Sequence, residues 1–222
     1  MEILVLDTIH GGTGLAAELT GSGHRVDTVD VYRGEGGISP GEALGRRYDL
    51  LVAPVHLDPD HPLLTAIQAP RITHHLAVRM LLSGKAPRPM IEVTGARGKT
   101  TTAHAIAHAL GGPGVPLQRG PIPPGRSRHG PEGPPPPETA PAPWEPGLPA
   151  GPGILHTSRG TIRYPDQTLL WRRSITPASV IPAAREAERG KGWLVAEESL
   201  GVSGAGDIAV LTSGEDYRIA AG

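Results

Sequence analysis

The chain of 222 residues contains no cysteine and no phenylalanine, and aromatic residues make up only 3% of it. Without cysteine there are no disulfides and no thiolate metal sites, a usage compatible with the reducing cytoplasm, which is the expected location. Without phenylalanine the core has to be assembled from Leu, Val, Ile and Ala, which suits layered α/β packing. No apolar run approaches the roughly 20 residues that span a bilayer, so no membrane partner is expected. No charge sign dominates either: the formal net charge is −1, which gives no electrostatic ground for a nucleic-acid partner. Lysine is limited to Lys85, Lys99 and Lys191, so each amine carries weight.

The opening third alternates strand and helix signals. Glu2–Asp7 is a continuous apolar strand with an acid at position 2, which is unlike a signal peptide. It leads into His10-Gly-Gly-Thr-Gly14 and a helical segment that stops at Gly21-Ser-Gly23. Arg25–Tyr32 and Tyr48–Val55 read as further strands, giving a Rossmann-like, doubly wound amino-terminal domain. The glycine loop lacks the full Gly-x-Gly-x-x-Gly spacing of a dinucleotide site, and a tight strand-to-helix turn is its expected role. Pro70 and Gly84 bracket a helix carrying His74 and His75. Adjacent helical residues point about 100° apart, so these two rings do not share one metal ion.

Prolines on both sides of Arg88 mark a boundary, and two domains are expected, residues 1–86 and 87–222. The second opens on Met90-Ile-Glu-Val-Thr-Gly-Ala-Arg-Gly-Lys-Thr-Thr-Thr-Ala103, a buried strand, a glycine turn and a helix start. Gly95 and Gly98 let the backbone approach a ligand. The helix beginning near Lys99 offers unpaired N–H groups and its positive dipole end to a phosphate. Lys99 reaches terminal phosphates in such a loop, and Thr100 places its hydroxyl on magnesium. Only Ala96 and Arg97 separate the two glycines, a departure from the general Walker spacing. Ala103, Ile106, Ala107 and Leu110 form the core stripe of the following helix, with His104 and His108 beside it as a solvated or partly packed pair.

Fifteen of the 25 prolines fall between residues 111 and 153, where Trp144 is the only Phe, Tyr or Trp. That stretch reads as a polyproline-biased insertion with no packed core. A hairpin or strand pair is expected over Gly153–Tyr164, and a helix over Ala183–Arg189. A buried strand Trp193–Ser199 ends in Glu197 and Glu198, carboxylates placed where a metal is held beside a phosphate loop. Asp207–Thr212 gives a last strand.

In their order, Gly95-Ala-Arg-Gly-Lys-Thr-Thr101, Thr176-Pro177, Glu197-Glu-Ser199 and Thr212 with Asp216 resemble the motifs of the Mur ligase superfamily. The resemblance implies a partial Mur-type P-loop ATP-binding domain with a parallel sheet. It also implies an ATP-dependent ligase that activates a carboxylate as an acyl phosphate. ATP would be cradled by Gly95, Ala96, Arg97, Gly98, Lys99, Thr100 and Thr101, with Lys99 and Glu197 catalytic and Mg2+ held by Thr100 with Glu197 or Glu198. The family's Asp-His pair is Asp216-Tyr217 here.

Asp7-x-x-His-Gly-Gly, Ile72-Thr-His-His-Leu-Ala-Val78, the run Glu198–Asp207 and the ending Glu215–Gly222 look most like a branch acting on a nickel tetrapyrrole. In that reading His10, His74 and His75 contact the substrate, and nickel arrives with it. Mur-type ligases continue beyond the point matched by Gly222, so the resemblance implies a fragment, a split gene with a separate chain supplying the closing domain, or a degenerate copy. An amide-forming ligase and a non-catalytic nucleotide-binding module are the alternatives.

Overall fold

A computed structural model describes residues 1–9, 11–34, 36–111 and 151–213. His10, Asp216 and the proline-rich stretch over 112–150, with Trp144, lie outside the described residues.

The first sheet is wholly parallel. Its strands are β1 (Glu2–Leu6), β2 (Arg25–Val29), β3 (Leu50–Ala53) and β4 (Arg71–Thr73), in the order β2-β1-β3-β4. Helices α1 (Gly12–Gly21), α2 (Pro40–Leu44), α3 (Pro62–Ala66) and α4 (His74–Leu82) connect or follow them. The apolar run Ile3–Leu6 is fully buried because the sheet is covered on both faces.

The second sheet is mixed, in the order β10-β5-β9-β6-β7-β8. β5 (Met90–Thr94), α5 (Lys99–Gly111), β6 (Gly153–Thr157), β7 (Gly160–Tyr164) and β8 (Thr168–Trp171) are followed by α6 (Val180–Arg189), β9 (Trp193–Glu197) and β10 (Ile208–Leu211). β10, β5, β9 and β6 run parallel, while β7 and β8 extend the sheet antiparallel. The chain is thus α/β throughout, and the antiparallel extension adds to the parallel sheet read from the sequence.

Three apolar clusters define the layers. Helices α1, α4 and α6 pack between the two sheets, where Val5, Leu15, Val78, Met90, Ile181 and Leu194 share one core. α2 and α3 cover the outer face of the first sheet with Leu63 and Leu64 against Leu4 and Leu51. α5 covers the outer face of the second with Ala103 and Ala107 against Val93 and Val195. Large aromatics appear there as one tilted pair, Tyr164 and Trp193, with ring centroids 5.3 Å apart. A Cβ on Gly153 would fall 2.1 Å from the Trp193 ring, so glycine makes room for the indole.

Two helix starts differ from the sequence reading. The segment from Pro70 is first a short strand: Arg71 pairs with Leu51, and Ile72 with Val52. The helix begins only at His74, where the Thr73 side chain caps it by accepting from the Leu76 N–H at 3.1 Å. α6 begins at Val180, not Ala183, because Pro182 sits in the first turn, where a missing N–H costs no helical bond. β8 was not read from the sequence at all. Among the described residues no helix is long and apolar enough to cross a membrane.

Candidate functional site

Parallel pairing sets the site. β5 lies beside β9 with Val93 opposite Glu197, and beside β10 with Thr94 opposite Leu211. The carboxyl ends of three neighbouring strands therefore meet at one edge, where open α/β sheets bind ligands.

The turn after β5 is glycine-dependent. Gly95 and Gly98 take φ of 131° and 81°, and a Cβ on Gly95 would lie 2.5 Å from Thr212 Oγ1. Thr212, just beyond β10, ties the turn down. Its hydroxyl donates to Thr94 O at 3.1 Å and also bonds Arg97 O. The Ala96 N–H donates to Ser213 Oγ at 2.9 Å. Helical bonding in α5 begins with Thr102 N to Gly98 O at 2.9 Å, so the amides before Thr102 form the anion-accepting end of the helix. Lys99 folds over the turn, its Nζ donating to Gly95 O at 2.9 Å. Arg97 and Thr101 are exposed at the same mouth.

Thr100 Oγ1 lies 2.8 Å and 3.0 Å from the two carboxyl oxygens of Glu197, which is 3% exposed. Ser158, from the β6–β7 turn, adds its N–H at 3.1 Å and its hydroxyl at 3.3 Å to Glu197 Oε2. One hydroxyl, one carboxylate and a second hydroxyl, beside amides and an ammonium group, form the donor set that magnesium with a nucleotide phosphate takes. His104 stands one turn after Thr100; burial first, then the Arg159 charge, lowers its pKa, against Glu197. Neither Ser158 nor His104 was singled out in the sequence as part of this site. For Ser158 the available signal was Thr157-Ser-Arg-Gly160, a turn at the tip of the expected hairpin.

Glu198 is not brought to Thr100, which corrects the expectation that either acid could serve there. Strand alternation turns it to the opposite face, where it is 1% exposed and Oε2 accepts from the Ser203 N–H at 2.8 Å. Burial foremost, and then the neighbouring Glu92 carboxyl, push its pKa well above the ordinary carboxylate value. Glu92 itself, on β5, accepts from the Ser203 hydroxyl and from the N–H groups of Gly204 and Gly206. These bonds hold the β9–β10 loop rather than a ligand.

His74 and His75 sit where the two sheets meet. The His74 Nε2–H donates to Leu6 O at 2.9 Å, and burial lowers its pKa to about 4, so the ring is neutral. His75 Nε2 donates to Ser199 O at 3.3 Å, and burial lowers its pKa too. Both line a cavity of about 50 Å³ with His56, Thr176, Pro177 and Leu200. Gly11 closes on the same place, since a Cβ there would fall 2.4 Å from Thr176 Oγ1. Ligand pockets typically measure ~300–1,000 Å³, so this cavity is too small as it stands to take a large molecule. A roomier depression, about 660 Å³, lies at the other end of the first sheet, where Arg25 and Arg46 are already paired with Glu2 and Asp27.

Coenzyme F(430) synthetase of Methanosarcina acetivorans is 30% identical to the chain over 247 aligned residues. The alignment takes in 99% of this chain and 44% of that protein, so the chain spans less than half the length of the curated relative it matches. No family model and no solved structure matches the chain.

Proposed function

We propose that the chain is the nucleotide-engaging part of a Mur-type ligase that works as an F(430)-type cyclo-ligase on a nickel-bearing seco-tetrapyrrole acid. The domains run over residues 1–86 and 87–222, the first facing substrate and the second ATP. The observation that carries the reading is the Thr100 hydroxyl at 2.8 Å from Glu197 beside the glycine turn. The similarity to coenzyme F(430) synthetase supports it from outside the site.

The amides of the turn and the first turn of α5 bind the phosphates, and Lys99 leaves Gly95 O to neutralise the transferring phosphoryl group. Thr100 and Glu197 would hold Mg2+, which would withdraw charge from the phosphate oxygens. Arg97 adds positive charge at the mouth. A substrate carboxylate oxygen takes the terminal phosphoryl group of ATP, giving an acyl phosphate and ADP. A carbon nucleophile of the same molecule then bonds to the acyl carbon, loses its proton and expels phosphate, closing a carbocycle. No protein nucleophile is required.

The resting bond from Lys99 Nζ to Gly95 O, which keeps the ammonium on the turn, also fits a second reading, a nucleotide-binding module that does not catalyse. Titration of the protein with ATP, with and without Mg2+, comes first. Incubation with the seco acid, ATP and Mg2+, followed by absorbance and ADP release, then separates ring closure from simple binding. A Lys99→Ala protein that keeps full ATP affinity would sink both readings.

A further inference from the structure

The β6–β7 turn enters the site from a strand that carries no part of the phosphate loop. β6 pairs with β9, His156 opposite Ala196. The chain beyond Thr157 therefore turns level with Glu197, and Ser158 lands on its carboxylate. The turn is fixed from within: the Thr157 hydroxyl donates to Gly160 O at 3.2 Å and accepts from the Arg159 N–H at 3.2 Å. It is fixed from outside as well. The His156 ring, fully buried, bonds Thr161 Oγ1 at 2.8 Å and Ser179 Oγ at 2.9 Å, tying β6 to β7 and to the segment before α6. Gly160 takes φ of 139°, and a Cβ there would meet Leu169 Cδ1 at 2.7 Å. Ser158 is thus presented by a braced hairpin, the kind of support that holds a site group in place.

Ser158 contributes two contacts to one oxygen. Its N–H and hydroxyl both reach Glu197 Oε2, and its Oγ is also 3.3 Å from Thr100 Oγ1. Each hydroxyl that donates to the carboxylate keeps lone pairs facing outward. Three oxygen-bearing groups from three different elements therefore converge before any ion arrives, and hard divalent cations select for such sets.

We propose that Ser158 completes the divalent-cation site of the nucleotide pocket, its backbone N–H orienting Glu197 and its hydroxyl standing with Thr100 as a further oxygen donor. The inference rests on the nucleotide reading above and adds a residue to that site. Ser158→Ala keeps the backbone bond and removes only the hydroxyl; Ser158→Thr restores a hydroxyl at the same place.

The measurement is ATP binding by calorimetry as a function of Mg2+, paired with Mn2+ binding to the ATP-loaded protein followed by electron paramagnetic resonance. Ser158→Ala is expected to raise the Mg2+ and Mn2+ needed for half-saturation by roughly tenfold. ATP affinity without metal should stay unchanged, and Ser158→Thr should return the metal dependence close to wild type. Unchanged metal dependence in Ser158→Ala overturns the proposal. So does a threonine variant that melts like wild type and yet binds metal as poorly as the alanine variant. Should Ser158→Ala fail to fold, Ser158→Thr and Ser158→Gly, compared for metal dependence at equal folded fraction, carry the same decision. If the wild-type protein binds ATP with no response to metal, the nucleotide reading itself falls, an outcome distinct from the others.

Discussion

Glu197 and Glu198 are neighbours in the chain, yet their carboxyls lie on opposite faces of the second sheet. Thr100 and Ser158 hold one, while Ser203 caps the other. Strand alternation makes them different chemical objects: the first sits at the mouth of the glycine turn, and the second is sealed against Glu92. Their substitutions therefore have different readouts.

Glu197→Gln removes a charge from the proposed cation site but keeps its shape. Affinity for ATP in the presence of Mg2+ is expected to fall about tenfold, or ~1.4 kcal/mol, while binding without metal changes little. Calorimetric titration at fixed Mg2+ checks this, and equal losses with and without metal would assign Glu197 a purely structural part.

Gly95→Ala forces a Cβ into the space of Thr212 Oγ1 at a φ of 131°. A loss of about 1–3 kcal/mol in stability is expected from the strain alone, together with loss of ATP binding. Gly98→Ala, whose Cβ would meet nothing nearer than Thr212 Cβ at 3.8 Å, should cost less in packing. Thermal unfolding of the two variants side by side gives the order.

Glu198 makes stability fall as pH rises above the ordinary carboxylate range. Its folded-state pKa stands above the ordinary 4.5, so the folded protein holds a proton that the unfolded chain releases. The contribution is fully present below that ordinary value and is lost as pH rises through the folded one. Glu198→Gln imitates the protonated acid and should flatten this fall. Melting temperatures from pH 5 to 9 would decide; parallel curves for the two proteins would exclude a protonated Glu198.

The buried histidines act on the acid side. The pKa values of His74 and His156 are lowered from 6.5 to about 4, mainly by burial. Their contribution is complete above the unfolded value near 6.5 and is lost as pH falls through about 4. Each ring should withdraw on the order of 3 kcal/mol across that window. Urea unfolding at pH 7, 5.5 and 4.5 should show a steep decline, made shallower by His156→Gln, which carries no titratable proton.

What could be read from residues alone follows the range over which each signal acts. The glycine spacing of residues 95–98 and the helix stripe through Ala103 and Ala107 are local patterns, and the corresponding turn and buried face appear in the structure. The start of α4 at His74 was missed because Arg71–Thr73 gains its partners from β3, far away in sequence. Proline at 182 marked a helix start three residues too late, since proline fits anywhere in a first turn. Ser158 has no local signature: its place beside Glu197 exists only because β6 pairs with β9. The burial of His74 and His75 also depends on distant carbonyls, those of Leu6 and Ser199.

The core between the sheets has a mechanical consequence. Leu15 and Val78 from one half interlock with Ile181 and Leu194 from the other, and Arg185 reaches across to pair with Glu18. Swinging the halves apart like jaws would expose that shared oil layer to water. Any opening near His75 would therefore fall to the rim, at the loops around Thr176 and Leu200 rather than at the packed body behind them.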